Sequence, residues 1–267
     1  MAIRFGAGVR IGVGAPSPNR MRGGTGTLPR SPYTANYLVV AGGGGGGWYG
    51  SPNWSSNVAS GRGGAGGVLQ GCVTLEVGTV YVATVGAESP PQGIVGAGYQ
   101  GNPSSFSAVP TVAVGGGGGG TSGFNTPGSP GSPGGSGGGG GGTYPASPYG
   151  AQPSGSGTPG QGYPGGYIFG GGAGGAGSTA GAGPGYTWPA TGLIYGAGGG
   201  SPSTTAAGKG GQGCGGSGQV GIIALVVPNA GYSGTYSPSP AVTISTGGPG
   251  YPGKTLITFN GSGTYTA

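Results

Sequence analysis

The stretch Tyr37-Leu38-Val39-Val40-Ala41-Gly42-Gly43-Gly44-Gly45-Gly46-Gly47 poses the question of the fold. Its first five residues are an unbroken apolar run, β-branched at its centre, and read as a short buried strand. Its last six carry no side chain. Ordering the backbone of one residue costs about 1–2 kcal/mol, and Gly stands at the upper end of that range. An ordered Gly run therefore needs a compensation that side-chain burial cannot give. Backbone hydrogen bonds and close contact between chain segments can give it. Polyglycine II is the conformation that offers both. It is a threefold, left-handed extended helix without internal hydrogen bonds, so every N–H and C=O is free for a neighbouring helix. Without Cβ atoms the axes can approach closely, and Cα–H···O contacts add a smaller term. A run of six spans about 19 Å at about 3.1 Å per residue.

The same grammar recurs along the chain. Gly-dominated runs lie at 42–47, 115–120, 137–142, 170–175, 196–200 and 210–218, with loops between them. The whole chain has 80 Gly and 25 Pro in 267 residues. Collagen is excluded, because it needs Gly at every third position and here only the two Gly-Ser-Pro triplets of 128–133 come close. Gly and Pro at this level without a period are usually a signature of disorder. Here the Gly residues are gathered into runs bounded by short apolar strands, which argues for a scaffold held by backbone bonds. The fold expected is irregular and all-β-like. It is a bundle of polyglycine-II helices with flanking short β-strands and a β-hairpin, with no α-helix of note.

Three regions are expected. Residues 1–36 form a basic N-terminal docking arm, with Arg4, Arg10, Arg20, Arg22 and Arg30 and no acid before Glu76. Docking on a protein partner is favoured over nucleic acid, because no helical or aromatic-interleaved nucleic-acid module is present. The arm has no apolar h-region of a signal peptide. Residues 37–230 form the glycine-rich domain, and residues 231–267 a C-terminal β tail packing on it. Within these, residues 68–86 read as a β-hairpin: Val73, Leu75 and Val77 alternate with polar residues, and Val80–Val85 follow a Gly78-Thr79 turn. Phe106–Val114 is a shorter apolar stretch. Val220–Val227 reads as another strand, too short to span a membrane. Thr255–Tyr265 reads as a terminal strand pair.

The charged complement is small: 8 Lys+Arg, 2 Asp+Glu and no His. The candidates for chemistry are Glu76, Glu88, Cys72 and Cys214, too few for a metal site or the usual acid–base constellations. No enzyme activity, cofactor or metal is expected. Gly248–Thr255 matches the phosphate-loop pattern formally. It precedes a strand pattern rather than a helix, and the chain has no Asp to serve a metal, so it is read as a chance match. Glu76 is expected to face solvent or to pair with an Arg such as Arg62. Cys72 and Cys214 are expected to be small, semi-buried thiols rather than a disulfide. The patterns Asn53-Trp54-Ser55 and Asn260-Gly261-Ser262 matter only in a secreted eukaryotic protein.

Most large side chains outside the strands sit in loops. Trp48, Tyr49 and Trp54 follow the first Gly run. Tyr144, Tyr149, Tyr163, Tyr167 and Phe169 follow the third. Tyr186, Trp188 and Tyr195 lie between later runs. Two roles stand open for them: folding back to cap the Gly helices, or forming a contact surface for a receptor or glycan. The residues taken as contact candidates are Trp48, Tyr49, Trp54, Tyr144, Tyr149, Tyr163, Tyr167, Tyr186 and Trp188.

An ordered set of segments carries a family resemblance. It comprises Tyr37–Gly47, Gly63–Val68, Tyr81–Ala87, Gly101–Phe106 with Gly115–Gly120, Gly216–Gly218 with Val220–Ile223, and Leu256–Thr266. Together it resembles the glycine-rich domain of bacteriophage virion proteins, including tail-fibre adhesins. The resemblance covers roughly residues 37–267. It implies a polyglycine-II sandwich with flanking β-strands. In T-even-like phage adhesins such a sandwich sits at the fibre tip, and its loops bind outer-membrane receptors. The Pro- and Tyr-rich centre of this chain departs from those adhesins, so the resemblance supports a virion component more than an adhesin.

The function expected is therefore structural. The first reading is a phage tail-fibre or receptor-binding protein, assembled in the bacterial cytoplasm and located in the virion. Its partners are other virion proteins, with a host surface receptor or glycan as a further candidate, no membrane span and no nucleic acid. A homo-oligomer is left open. The second reading is a capsid-decorating or tail-lattice protein without a receptor role. The third, from another class, is a secreted ice-binding or cell-wall glycine-rich protein.

Overall fold

The computed structural model describes residues 31–48, 60–92, 95–124, 126–144, 152–200, 208–209, 216–237, 242–246 and 250–267. Contacts divide the chain into a unit of residues 1–30 and a unit of residues 31–267. Only the second falls among the described residues. Among them there is no α-helix, and none long and apolar enough to cross a membrane.

The strands follow in chain order. They are β1 (Tyr33–Val40), β2 (Val68–Leu75), β3 (Val80–Thr84), β4 (Ser105–Phe106), β5 (Gly123–Phe124), β6 (Thr143–Tyr144) and β7 (Tyr186–Thr187). After these come β8 (Ile194–Tyr195), β9 (Ile222–Pro228), β10 (Thr235–Ser237), β11 (Val242–Thr246), β12 (Lys254–Phe259) and β13 (Gly263–Thr266). One antiparallel sheet has five strands in the order β11-β12-β9-β1-β2, and a second has four in the order β10-β13-β3-β4. β5–β6 and β7–β8 form two small ribbons.

The two large sheets share one core. Ala35, Val39, Leu75, Ile223, Leu225, Val227, Ile257 and Phe259 from the first meet Tyr81, Ala83, Phe106 and Tyr265 from the second. The Tyr81 and Phe106 rings lie 5.8 Å apart, and the Tyr33 and Tyr265 hydroxyls share a hydrogen bond of 2.7 Å. The other face of the five-stranded sheet is also covered. Leu38, Val40, Val68, Ala224 and Val226 pack there with Trp188 and Tyr195. This explains why Tyr37–Val40 of β1 and Ile222–Val227 of β9 are continuous apolar runs: successive side chains point to opposite faces, and both faces are buried. Burial raises the Tyr195 phenol above its ordinary pKa, against a lowering hydrogen bond with Thr191, and Tyr251 adds a smaller upward push.

Two sequence expectations are corrected by the pairing. Residues 68–86 do not form a hairpin. Thr79 N–H bonds to the Glu76 carbonyl at 3.1 Å and Gly78 has φ +79°, so the turn exists. It carries the chain from one sheet to the other: β2 pairs with β1, whereas β3 pairs with β13 and β4. The terminal strands behave the same way. β12 joins β9 and β11, while β13 joins β3 and β10, so they are not a pair. The segment from 231 onward thereby supplies strands to both sheets. Residues 33–36, read as the end of the arm, are the first half of β1.

The glycine runs form the bundle that their composition implies. Amide donors of 41–47 rotate among three neighbours. Ala41, Gly44 and Gly47 bond to the carbonyls of Gly67, Gly64 and Gly61. Gly42 and Gly45 bond to Asn102 and Tyr99, and Gly43 and Gly46 to Gln219 and Gly216. Each partner series steps back by three as the run steps forward by three. That is threefold helical periodicity with antiparallel neighbours. Gly116 and Gly119 return bonds of 2.9 Å to the carbonyls of Gly42 and Gly45, and Gly117 and Gly120 bond to Ser136 and Gly139 at the same distance. The third run continues the lattice, with Gly138 and Gly141 bonded to Ser132 and Ser129.

The requirement for Gly in this lattice is steric. A Cβ on Gly44 would overlap the Gly117 carbonyl, whose carbon would lie only 2.5 Å away. A Cβ on Gly117 would likewise overlap the Ser132 carbonyl, and one on Gly118 the Gly98 carbonyl. These are backbone atoms, and the Gly117 and Ser132 carbonyls are held in hydrogen bonds from Gly64 and Gly138, so no side-chain rotation can relieve the overlap.

Candidate functional site

The bundle and the sheets meet around a cleft of about 560 Å³. Its wall is built from β2 (Val68, Leu69, Gln70), from the 157–163 loop and from Ala173 and Tyr186. The loop is anchored through Gln161. Its side-chain oxygen accepts from Val114 N–H at 2.8 Å, its Nε2 donates to the Val112 carbonyl at 3.0 Å, and its main-chain carbonyl accepts from Val68 N–H at 2.9 Å. Gln161 thus ties the second Gly run, the loop and the start of β2 together. Tyr163 continues from this anchor and is 48 % exposed. Its carbonyl accepts from Gly137 N–H at 3.0 Å, which fixes its backbone to the third Gly run. Tyr186, in β7, is half-buried and lines the same cleft.

Among the described residues the cleft has no charged lining residue. Two phenol rings, an exposed amide at Gln70 and aliphatic walls suit an uncharged ligand that offers both apolar patches and hydroxyls. A second, shallower depression of about 320 Å³ adjoins it at Gln70 and is lined by Asn36, Gly71, Cys72, Trp188, Pro189 and Ala190.

The other aromatic candidates are placed as follows. Trp48 is half-buried at the end of the first Gly run, bridged to Gly96, with its carbonyl accepting from the Thr121 hydroxyl at 2.8 Å. Tyr167 is half-buried, and the neighbouring Phe169 ring lies 4.6 Å beneath the Arg62 guanidinium. Tyr144 lies in β6, paired with β5. Trp188 is only 2 % exposed and belongs to the core beneath the five-stranded sheet, so its ring is a cover for β1 and β9 rather than a contact surface. Tyr49, Trp54 and Tyr149 lie outside the described residues, as do Arg4, Arg10, Arg20, Arg22 and Arg30. The candidates therefore separate: Tyr163 and Tyr186 come together, and Trp188 is withdrawn into the core.

Among the described residues, those with chemical potential stay apart. Among the described residues no group of three or more Cys or Glu could hold a metal. Arg62 stacks on Phe169 and does not reach Glu76, which is exposed. Cys72 is a free, exposed thiol whose Sγ donates to Asn36 Oδ1 at 3.1 Å, which corrects the expectation of a semi-buried one. Cys214 lies outside the described residues. Lys254 and Thr255, which end the phosphate-loop-like pattern, begin strand β12 rather than a helix.

A second uncharged surface lies on the outer face of the four-stranded sheet. Val82, Thr264 and Ser237 stand opposite one another across three strands, as do Val80, Thr266 and Thr235. Thr84 extends the row along β3. Sequence reasoning missed this face because its residues come from β3, β10 and β13, far apart in the chain. It also missed Gln161 and Gln70, which single residues in Gly-rich or apolar surroundings do not announce. Comparison with protein-family models, with curated proteins and with solved structures finds no match to this chain.

Proposed function

We propose that this chain is a structural component of a bacteriophage particle, in the tail fibre or receptor-binding apparatus, and that the Tyr163–Tyr186 cleft contacts a neutral glycan of the host surface. The observation that carries the reading is that uncharged cleft, set where a backbone-bonded glycine scaffold fixes both of its walls. Aromatic faces stack on the apolar faces of sugar rings, and the Gln70 amide can exchange hydrogen bonds with hydroxyls. The resemblance of the ordered glycine and strand segments to phage glycine-rich domains supports the same assignment.

Deleting the 143–169 loop is a poor test, because it removes Gly155 and Gln161 and with them bonds of the scaffold. Substitutions at the rim are cleaner. Particles carrying Tyr163→Ala with Tyr186→Ala should adsorb to host cells at least tenfold more slowly while assembling normally. Unchanged adsorption by intact particles would remove the receptor role and leave a capsid-decorating or tail-lattice protein. The Thr- and Val-rich outer sheet face favours a second reading, an ice-binding protein. Thermal hysteresis at micromolar concentration, abolished by Thr264→Lys, is its signature.

A further inference from the structure

The inner face of the four-stranded sheet carries a row of phenols. Tyr236 of β10 stands opposite Tyr265 of β13, and Tyr265 stands opposite Tyr81 of β3. Side chains directly opposite on one face of an antiparallel pair are nearest neighbours. A fourth phenol comes from the other sheet. Tyr33, the first residue of β1, has its hydroxyl 2.7 Å from that of Tyr265. The Tyr81 oxygen is engaged elsewhere, accepting from Glu76 N–H at 2.8 Å. Tyr232 joins the group: burial raises its phenol above the ordinary pKa, and Tyr236 and Tyr265 add smaller upward pushes. The cluster is graded in exposure. Tyr265 is fully enclosed, whereas Tyr33, Tyr232 and Tyr236 are half-buried around it.

This arrangement suits phenol oxidation. A phenol that loses one electron becomes strongly acidic and sheds its proton along an existing hydrogen bond. The Tyr33–Tyr265 contact is such a bond, and each hydroxyl can donate or accept in it. Two neighbouring phenoxyl radicals couple through the carbons ortho to their oxygens. Each ortho carbon is bonded to the carbon that bears the oxygen, so the hydroxyl contact brings ortho positions of the two rings near each other. Tyr265 is closed to solvent, but its cross-strand neighbour Tyr236 is partly open and relays electron loss inward. The balance is simple. Two one-electron oxidants accept one electron each, and two protons go to solvent. One ortho C–H bond of each ring is replaced by the new C–C bond, and both hydroxyls are retained.

We infer that Tyr33 and Tyr265 form an oxidative modification site, at which a one-electron oxidant joins the two rings as dityrosine and locks β1 of one sheet to β13 of the other. The link closes a loop from the first strand of the sandwich to the last, which restricts the unfolded ensemble most where the loop is long. The inference does not depend on the virion reading, since it concerns chemistry inside the sandwich.

Treating the dilute full chain with photogenerated tris(bipyridine)ruthenium(III), an outer-sphere one-electron oxidant, tests it. The expected product is a single chain lighter by two hydrogens, with dityrosine fluorescence and a linked pair of proteolytic fragments that carry Tyr33 and Tyr265. Tyr99 and Tyr163 are more exposed than either ring, so oxidation governed by exposure alone would couple those first and join separate chains. Tyr33→Phe should lower the yield of the intramolecular product at least tenfold, while Tyr99→Phe leaves it unchanged. The chain oxidised after unfolding in guanidinium should lose the same preference, which ties the coupling to the fold. If Tyr33→Phe does not fold, fragment mapping of the unmodified chain before and after unfolding decides alone. The inference fails if the linked fragments carry other tyrosines, if folded and unfolded chains give the Tyr33–Tyr265 link equally, or if a folded Tyr33→Phe chain keeps the full yield.

Discussion

The glycine bundle and the β-sandwich of this chain solve the same thermodynamic problem in opposite ways. The sandwich orders its backbone by burying side chains: Phe106, Phe259, Tyr265 and Ile257 are fully or almost fully enclosed. The bundle orders its backbone by removing side chains, so that carbonyls of one helix reach amides of the next. One region is damaged by losing atoms and the other by gaining them. That contrast gives a set of measurements by which the two regions can be told apart in solution.

The largest effect is expected in the sandwich. Phe259 is completely buried in the core between the two sheets. Phe259→Ala removes most of that ring and leaves a cavity, with an expected loss of about 3–5 kcal/mol in urea or guanidinium unfolding. The bundle should respond next. Gly44→Ala adds one methyl group, yet that methyl must displace the Gly117 carbonyl and the Gly64 amide that bonds to it. The expected loss is about 3 kcal/mol, at the upper end for overpacking, because backbone rather than a flexible side chain blocks the site. If Gly44→Ala proved neutral, the close-packed lattice at this position would be wrong and the bundle would be looser than described.

The parts of this contrast that the sequence revealed are those with a local cause. The run Gly42–Gly47 implied threefold backbone bonding because ordered glycine has only backbone bonds and close contact to compensate it, which polyglycine II offers, and the amide partners of 41–47 follow that rule. The apolar runs of β1 and β9 implied burial, and both strands are buried on two faces. What was illegible depends on partners distant in the chain. The Glu76–Thr79 turn looks like a hairpin locally, but β3 is claimed by β13, which lies at residues 263–266. Trp188 looks like a loop aromatic, yet the second apolar face of β1 and β9 needs a cover, and the ribbon β7–β8 carries Trp188 and Tyr195 to it. The candidate cleft was half legible: Tyr163 and Tyr186 stood out as loop aromatics, but their meeting across β2 is set by the side chain of Gln161.

The smallest effect is also the most discriminating, because it uses the same substitution and reverses its sign. Gly181 lies in a turn, where its amide accepts no crowding: a Cβ built there meets nothing within 4 Å, and its φ is not in the positive range that disfavours other residues. Its amide bonds to the Ser178 hydroxyl at 3.1 Å, and its carbonyl accepts from Ser178 N–H at 2.8 Å, neither of which a methyl group disturbs. Gly181→Ala therefore leaves the folded state unchanged and narrows the unfolded ensemble. It should raise stability by about 0.4–1 kcal/mol. Gly44→Ala narrows the unfolded ensemble by the same amount, so the difference between the two variants isolates the folded-state overlap at Gly44. A destabilising Gly181→Ala would show that glycine serves a backbone role even where space is open. A stabilising one, beside a damaging Gly44→Ala, would show that glycine is required only where carbonyls of neighbouring helices occupy the place of the side chain.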